Sequence, residues 1–122
     1  MSTPRRDAEY LADIVEAIHR IVDYTSGWSY VQFLDDTRTQ DAVLRNLQIV
    51  GEATKKLSPA LRDAHSGPPW KAMAGLRDRI VHDYFGVNAD VVWTVASQEL
   101  PALLAQLRAI LEEQDEQSPA PR

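Results

Sequence analysis

Apolar residues recur at the i, i+3, i+4 spacing of an α-helix along nearly the whole chain, and no segment alternates convincingly with period two. This pattern restricts the fold to the all-α class and predicts an up-and-down bundle of four to five helices. The first helix is expected from about Arg6 to Thr25. Leu11, Ile14, Val15, Ile18, Ile21 and Val22 form its apolar stripe, Asp7, Glu9, Asp13 and Glu16 its wet face, and Ser26-Gly27 its end. Tyr30, Phe33 and Leu34 then cover the end of the bundle, and Asp35-Asp36-Thr37 offers side chains able to cap a second helix over about Thr37 to Leu57. That helix turns Val43, Leu44, Leu47, Val50, Ala53 and Leu57 to the core, while Gly51, costly inside a helix, points to a close helix crossing.

The stretch from Ser58 to Trp70 contains Pro59, Gly67, Pro68 and Pro69, which leaves room for one short helical turn and places His65 in solvent. Pro69 suits a first helical turn, so a third helix is expected from about Pro69 to Phe85, stopping at Gly86. Asn88 can cap a final helix in which Val91, Val92, Trp93, Val95, Leu100, Leu103, Leu104, Leu107, Ile110 and Leu111 are apolar, with Pro101 kinking or splitting it. Residues 1–5 and 114–122 read as frayed tails of a single domain covering 1–122.

Composition narrows the function. At 122 residues and 44% hydrophobic content the chain supports one core. It has no cysteine, hence no disulfide framework, thiolate nucleophile or Cys-type zinc site, which fits a reducing cytoplasm. Met1-Ser2-Thr3-Pro4-Arg5-Arg6 lacks the apolar run of a signal peptide and no stretch reaches the length of a membrane span, so a cytoplasmic protein with no membrane partner is expected. The net charge of −5 argues against broad, sequence-independent binding to nucleic acid; any such site must be local. There is no Gly-rich phosphate loop, HExxH, GxSxG or EF-hand pattern, and His19, His65 and His82 are scattered. Asp35 and Asp36 read as a cap and a solvated neighbour. Neither a metal nor a cofactor is expected, and Trp28, Trp70 and Trp93 are assigned to packing rather than base stacking.

The chemistry concentrates in Gly75-Leu76-Arg77-Asp78-Arg79-Ile80-Val81-His82-Asp83-Tyr84-Phe85. At about 100° per residue, Trp70, Met73, Ala74, Ile80, Val81, Tyr84 and Phe85 fall within about 80° of Arg77, whereas Lys71, Arg79 and Asp83 fall outside. Arg77 is therefore expected to face a core or an interface, where its guanidinium must meet a carboxylate, carbonyls or a phosphate. Asp78 and His82, four apart, share a helix face, so the carboxylate can orient the imidazole. Arg77 and His82 lie about 140° apart on a regular helix, so one copy cannot aim both at one atom, whereas two copies about a twofold axis can. The plainer alternative makes Arg77 half of a structural ion pair and His82 a helix-border histidine.

Arg77-x4-His82-x-Tyr84, with Pro69-Trp70, Gly75-Leu76, Phe85-Gly86-Val87 and Val92-Trp93 around it, resembles the HEPN ribonuclease superfamily, and more narrowly the HepT-like toxins encoded beside minimal nucleotidyltransferase antitoxins. The similarity extends to Tyr10-Leu11-Ala12-Asp13-Ile14, Asp41 to Leu47, Ile49-Val50-Gly51-Glu52-Ala53 and Leu100-Pro101. It implies a helical homodimer that cleaves RNA without a metal, with Arg77 and His82 catalytic and Asp78 orienting His82. Lys71 and Arg79 would contact substrate in a small basic island. It further implies a minimal nucleotidyltransferase partner that transfers AMP to Tyr84. Two other readings use the same residues: a non-catalytic nucleotide-binding or docking subunit of a nucleotidyltransferase, and a structural helical interaction domain.

Overall fold

A computed structural model describes residues 6–81 and 86–117, and all of the secondary structure among them is helical apart from one isolated β-bridge. Three long helices make the core: α1 (Asp7–Thr25), α3 (Thr37–Lys56) and α8 (Leu100–Gln117). α1 packs against both others. Leu11, Ile14, Ile18 and Ile21 of α1, Val43, Leu47 and Val50 of α3, and Leu100 and Leu107 of α8 are each at most 2% exposed, the stripes that the periodicity predicts. Each such side chain contributes about 1.5–3 kcal/mol by leaving water.

The helix ends follow local chemistry. α1 stops where Gly27 takes φ 77°, a left-handed conformation that favours glycine. A short helix, α2 (Tyr30–Leu34), lies where the apolar pattern suggests only a connector. Its signal is Ser29-x-x-Gln32, a capping box in which the Ser29 hydroxyl accepts from the Gln32 N–H and the Gln32 side chain accepts from the Ser29 N–H. Phe33 is buried, but Leu34 is exposed and so covers less of the bundle end than expected. Asp36 caps α3 by accepting from the Thr39 N–H at 3.0 Å. Pro59 begins α4 (Pro59–Ala64), the single turn expected in the connector.

Two polar residues expected in water are engaged. Asp7 is half-buried and accepts the Ser58 N–H at 2.9 Å and the Ser58 hydroxyl at 2.6 Å, which ties the α3–α4 turn to the start of α1. His65 has a 17%-exposed side chain lying 3.3 Å from Glu113 of α8, and its carbonyl accepts the Trp70 indole N–H at 2.7 Å. A connector that places an indole into the core brings its neighbours with it.

The expected third helix is not one regular helix. α5 (Trp70–Ala74) ends at Gly75, whose φ −92° and ψ 14° leave the helical region, and α6 (Leu76–Ile80) restarts beyond it. α6 stops five residues earlier than the periodicity suggests, because Val81 is extended and bridges Val87 in antiparallel fashion. The Ile80 carbonyl, which a continuing helix would need, accepts from the Asn88 N–H at 2.8 Å instead. Asn88 caps α7 (Ala89–Thr94) by accepting from the Val91 N–H. Trp93 of α7 packs on Phe33 and Tyr30 at centroid distances of 5.2 and 6.3 Å.

The final helical run is continuous through Pro101, but a π-helical turn over Val95–Glu99 precedes the proline and separates α7 from α8. Proline has no N–H for the Ser97 carbonyl four residues back, and a wider turn accommodates both the missing bond and the ring.

Candidate active site

The α3–α5 crossing builds the site. Gly51 of α3 lies so close to the start of the motif that a Cβ placed on it would stand 3.6 Å from the Met73 carbonyl and 3.7 Å from that of Ala74. This is the close crossing that a glycine inside a helix suggested. It sets the exposed face of α3 beside α5 and α6, and a surface groove runs between them. One part, about 250 Å³, is lined by Arg45, Gln48, Glu52, Lys55 and Arg77; the adjoining part, about 920 Å³, by Lys55, Lys71, Gly75, Arg77, Asp78 and Val81.

Arg77 therefore occupies the junction of the two parts, exposed to solvent. It is not in the core of its own chain, contrary to one of the two placements its helix wheel allowed. The break at Gly75 is the reason: Trp70, Met73 and Ile80 are buried, but Arg77 does not share their direction, since the residues no longer lie on one uninterrupted helix. The angular argument relating Arg77, Asp78 and His82 falls with it, because α6 ends at Ile80. His82 and Tyr84 lie outside the described residues; in the chain His82 directly follows Val81 of the groove wall.

Of the two residues expected to contact substrate, Lys71 lines the groove and Arg79 does not. Arg79 reaches Glu99 instead, with Nη1 to Oε1 and Nη2 to Oε2 both at 2.7 Å. The hydrogen-bonded guanidinium holds the Glu99 carboxyl below its ordinary range, and Glu99 in turn raises the Arg79 pKa. Arg79 thus anchors α6 to the π turn. Another clasp links α2 and α7, where the Tyr30 hydroxyl donates to Asp90 and its pKa is raised by that bond.

Two cations escaped the motif-centred reading: Arg45 and Lys55 of α3. Both are exposed, opposite the buried Val43, Leu47 and Val50, so the helix wheel alone marks them as surface residues. Only the crossing at Gly51 shows which surface they share. Among the described residues, no three of His, Asp and Glu gather closely enough to hold a metal ion, and no helix is long and apolar enough to cross a membrane.

The sequence that builds this bundle is similar to those of known proteins. The family model "Ribonuclease HepT-like" matches residues 14–110, and the chain belongs to this ribonuclease family. "Probable ribonuclease HepT" of Thermococcus cleftensis is 40% identical over 99 residues, covering 81% of this chain and 90% of that protein. "Putative RNase TTE0752" of Caldanaerobacter subterraneus subsp. tengcongensis is 38% identical over 114 residues, covering 93% and 99%. "Putative RNase MJ0127" of Methanocaldococcus jannaschii is 35% identical over 111 residues, covering 90% and 92%. No solved structure matches the chain.

Proposed function

We propose that this chain is the ribonuclease toxin of a toxin–antitoxin pair, a metal-independent RNA endonuclease acting as a homodimer. The observation that carries the reading is Arg77: exposed, at the junction of a basic groove, and without an ion-pair partner among the described residues. A guanidinium so placed is available to a phosphate. His82 lies five residues further along the chain and supplies a group that exchanges protons near neutral pH.

The chemistry needs no external nucleophile. The RNA 2′-oxygen loses its proton to His82 and attacks the adjacent phosphorus, the bond from phosphorus to the 5′-oxygen breaks, and that oxygen takes a proton from the second copy's histidine. A 2′,3′-cyclic phosphate and a 5′-hydroxyl result. Arg77 balances the charge that builds on the phosphorane oxygens. Asp78, on the groove wall, orients His82, and Lys71 receives the RNA backbone. Homodimerisation through this face supplies the second histidine and covers Val81 and Val87, apolar residues 40% and 45% exposed in the single chain.

Control of the toxin falls to a minimal nucleotidyltransferase antitoxin, which transfers AMP to Tyr84. The test is product analysis: RNA incubated with the purified chain and a chelator should yield fragments with cyclic phosphate ends. Nucleotide binding without cleavage would instead establish a non-catalytic docking subunit.

A further inference from the structure

The geometry points to Arg45 and Lys55 of α3 as RNA-backbone contacts that lead a single strand along the groove to Arg77, an assignment that rests on the ribonuclease reading above. Four cations, Arg45, Lys55, Lys71 and Arg77, line this one groove against two carboxylates, Glu52 and Asp78, on a chain whose net charge is −5. The local excess opposes the global sign. Such an island repels itself unless an anion occupies it.

Two cations outside the groove are held by carboxylates, whereas the groove cations are open to a phosphate; Arg108 of α8 is likewise unpaired among the described residues but lies outside the groove. Arg20 is held by Glu16 at 3.1 Å and Arg79 by Glu99 at 2.7 Å. Among the described residues, Arg45, Lys71 and Arg77 have no ion-pair partner, and Lys55 has only Glu52, one turn back on its own helix at 3.6 Å. Arg45 and Lys55 are ten residues apart on α3, about 15 Å along the axis at 1.5 Å per residue, enough to track a few nucleotides. Arg77 stands across from them, so a strand laid along α3 passes the proposed catalytic guanidinium. Among the described residues the groove has no aromatic on which bases could stack, so the contact of Arg45 and Lys55 is with phosphates.

The experiment measures binding of a short 2′-O-methyl RNA, which lacks the attacking hydroxyl, to the parent, Arg45→Gln, Lys55→Gln and Arg108→Gln at several salt concentrations. Arg108 is an exposed cation of α8 outside the groove and controls for net charge. Arg45→Gln and Lys55→Gln should each weaken binding and flatten the plot of log K against log salt by about 0.7, the counterion release of one single-strand phosphate contact. Arg108→Gln should leave the slope unchanged. Cleavage of unmodified RNA at saturation should persist in both groove variants, with the loss confined to KM. If the parent cleaves RNA and the groove variants keep its slope, this inference is overturned while the ribonuclease reading stands. If the parent neither binds nor cleaves RNA, both fall. Variants that bind RNA normally but release an acidic partner protein would make the groove a protein-docking surface, which also overturns the assignment.

Discussion

Arg79 and Glu99 meet through two guanidinium nitrogens and two carboxylate oxygens at 2.7 Å, fastening the five-residue helix that carries Arg77 to the π turn before α8. Both side chains are about two-fifths exposed, so the pair is worth about 0.5–1 kcal/mol after solvent screening. Its pH dependence has a definite sign. The Glu99 pKa is lower in the folded chain than in the unfolded one, so the pair's stabilisation is complete above the ordinary carboxylate range and is lost as pH falls through the depressed value. Glu99→Gln should lower the denaturant midpoint at neutral pH, and the gap to the parent should close in acid. A gap of constant size would remove the pair from the acid sensitivity of the fold.

Gly51 tests how tight the α3–α5 crossing is. A Cβ there would make ordinary van der Waals contact with the Met73 and Ala74 carbonyls at 3.6 and 3.7 Å. Gly51→Ala should therefore keep the crossing and raise stability, by up to about 1 kcal/mol from helix propensity. Gly51→Leu should lower it, since the larger side chain has only the α5 backbone to push against. Loss of stability in the alanine variant, followed by thermal melting, would mean that the crossing is tighter than these distances.

Ile80 and Val81 are neighbours in sequence and differ sharply in burial, 3% against 40% exposed. A charge at Ile80 enters the core of the single chain and should cost several kcal/mol, so Ile80→Asp reports on folding and not on assembly. Val81→Asp should keep the parent's helicity and melting behaviour below the dimerisation range but behave as a monomer in light scattering at micromolar concentration. A dimer that survives Val81→Asp places the interface on another face.

Much of the bundle was legible in the sequence because burial imposes a period. The stripes of α1 and α3, the glycine stop at Gly27 and the caps at Asp36 and Asn88 follow from local rules that hold whatever packs above them. The motif helix was not legible. Trp70 through Phe85 has a continuous helical period, yet Val81 pairs with Val87 and the Asn88 N–H takes the Ile80 carbonyl, bonds whose partners lie beyond the window in which a period is read. The groove shows the same limit. Lys71 and Arg77 drew attention because they are close in sequence to the motif, whereas Arg45 and Lys55 become part of the site only through the crossing at Gly51. Arg79, equally close in sequence, is turned away by Glu99.

Arg77 carries the catalytic reading and its variants are well posed, because the side chain is exposed and its removal opens no cavity. Arg77→Ala should keep the parent's melting temperature and lose about 10²-fold or more in cleavage rate, the scale of removing a charge-stabilising donor from a transition state. Arg77→Lys should recover only part of the loss, since an ammonium cannot grip two phosphate oxygens as a planar guanidinium does. His82→Ala should lose about 10²-fold or more with helicity unchanged. Full cleavage by either alanine variant would sink the mechanism.

Tyr84 lies outside the described residues, and its proposed role follows from its sequence position, three residues after Val81 of the groove wall and seven after Arg77. AMP joined to its hydroxyl through a phosphodiester would add a negative charge and a nucleoside to the chain seven residues beyond Arg77. That phosphate would compete with RNA for the groove, and its charge would repel the incoming backbone, so one covalent change switches off both binding and cleavage. Intact-mass spectrometry after co-expression with the nucleotidyltransferase should show adenylyl additions that are absent from Tyr84→Phe, and the modified parent should bind the 2′-O-methyl RNA more weakly than the unmodified one. Tyr84→Phe should remain toxic beside the nucleotidyltransferase. If that variant is neutralised as completely as the parent, inhibition comes from complex formation and the covalent switch is wrong.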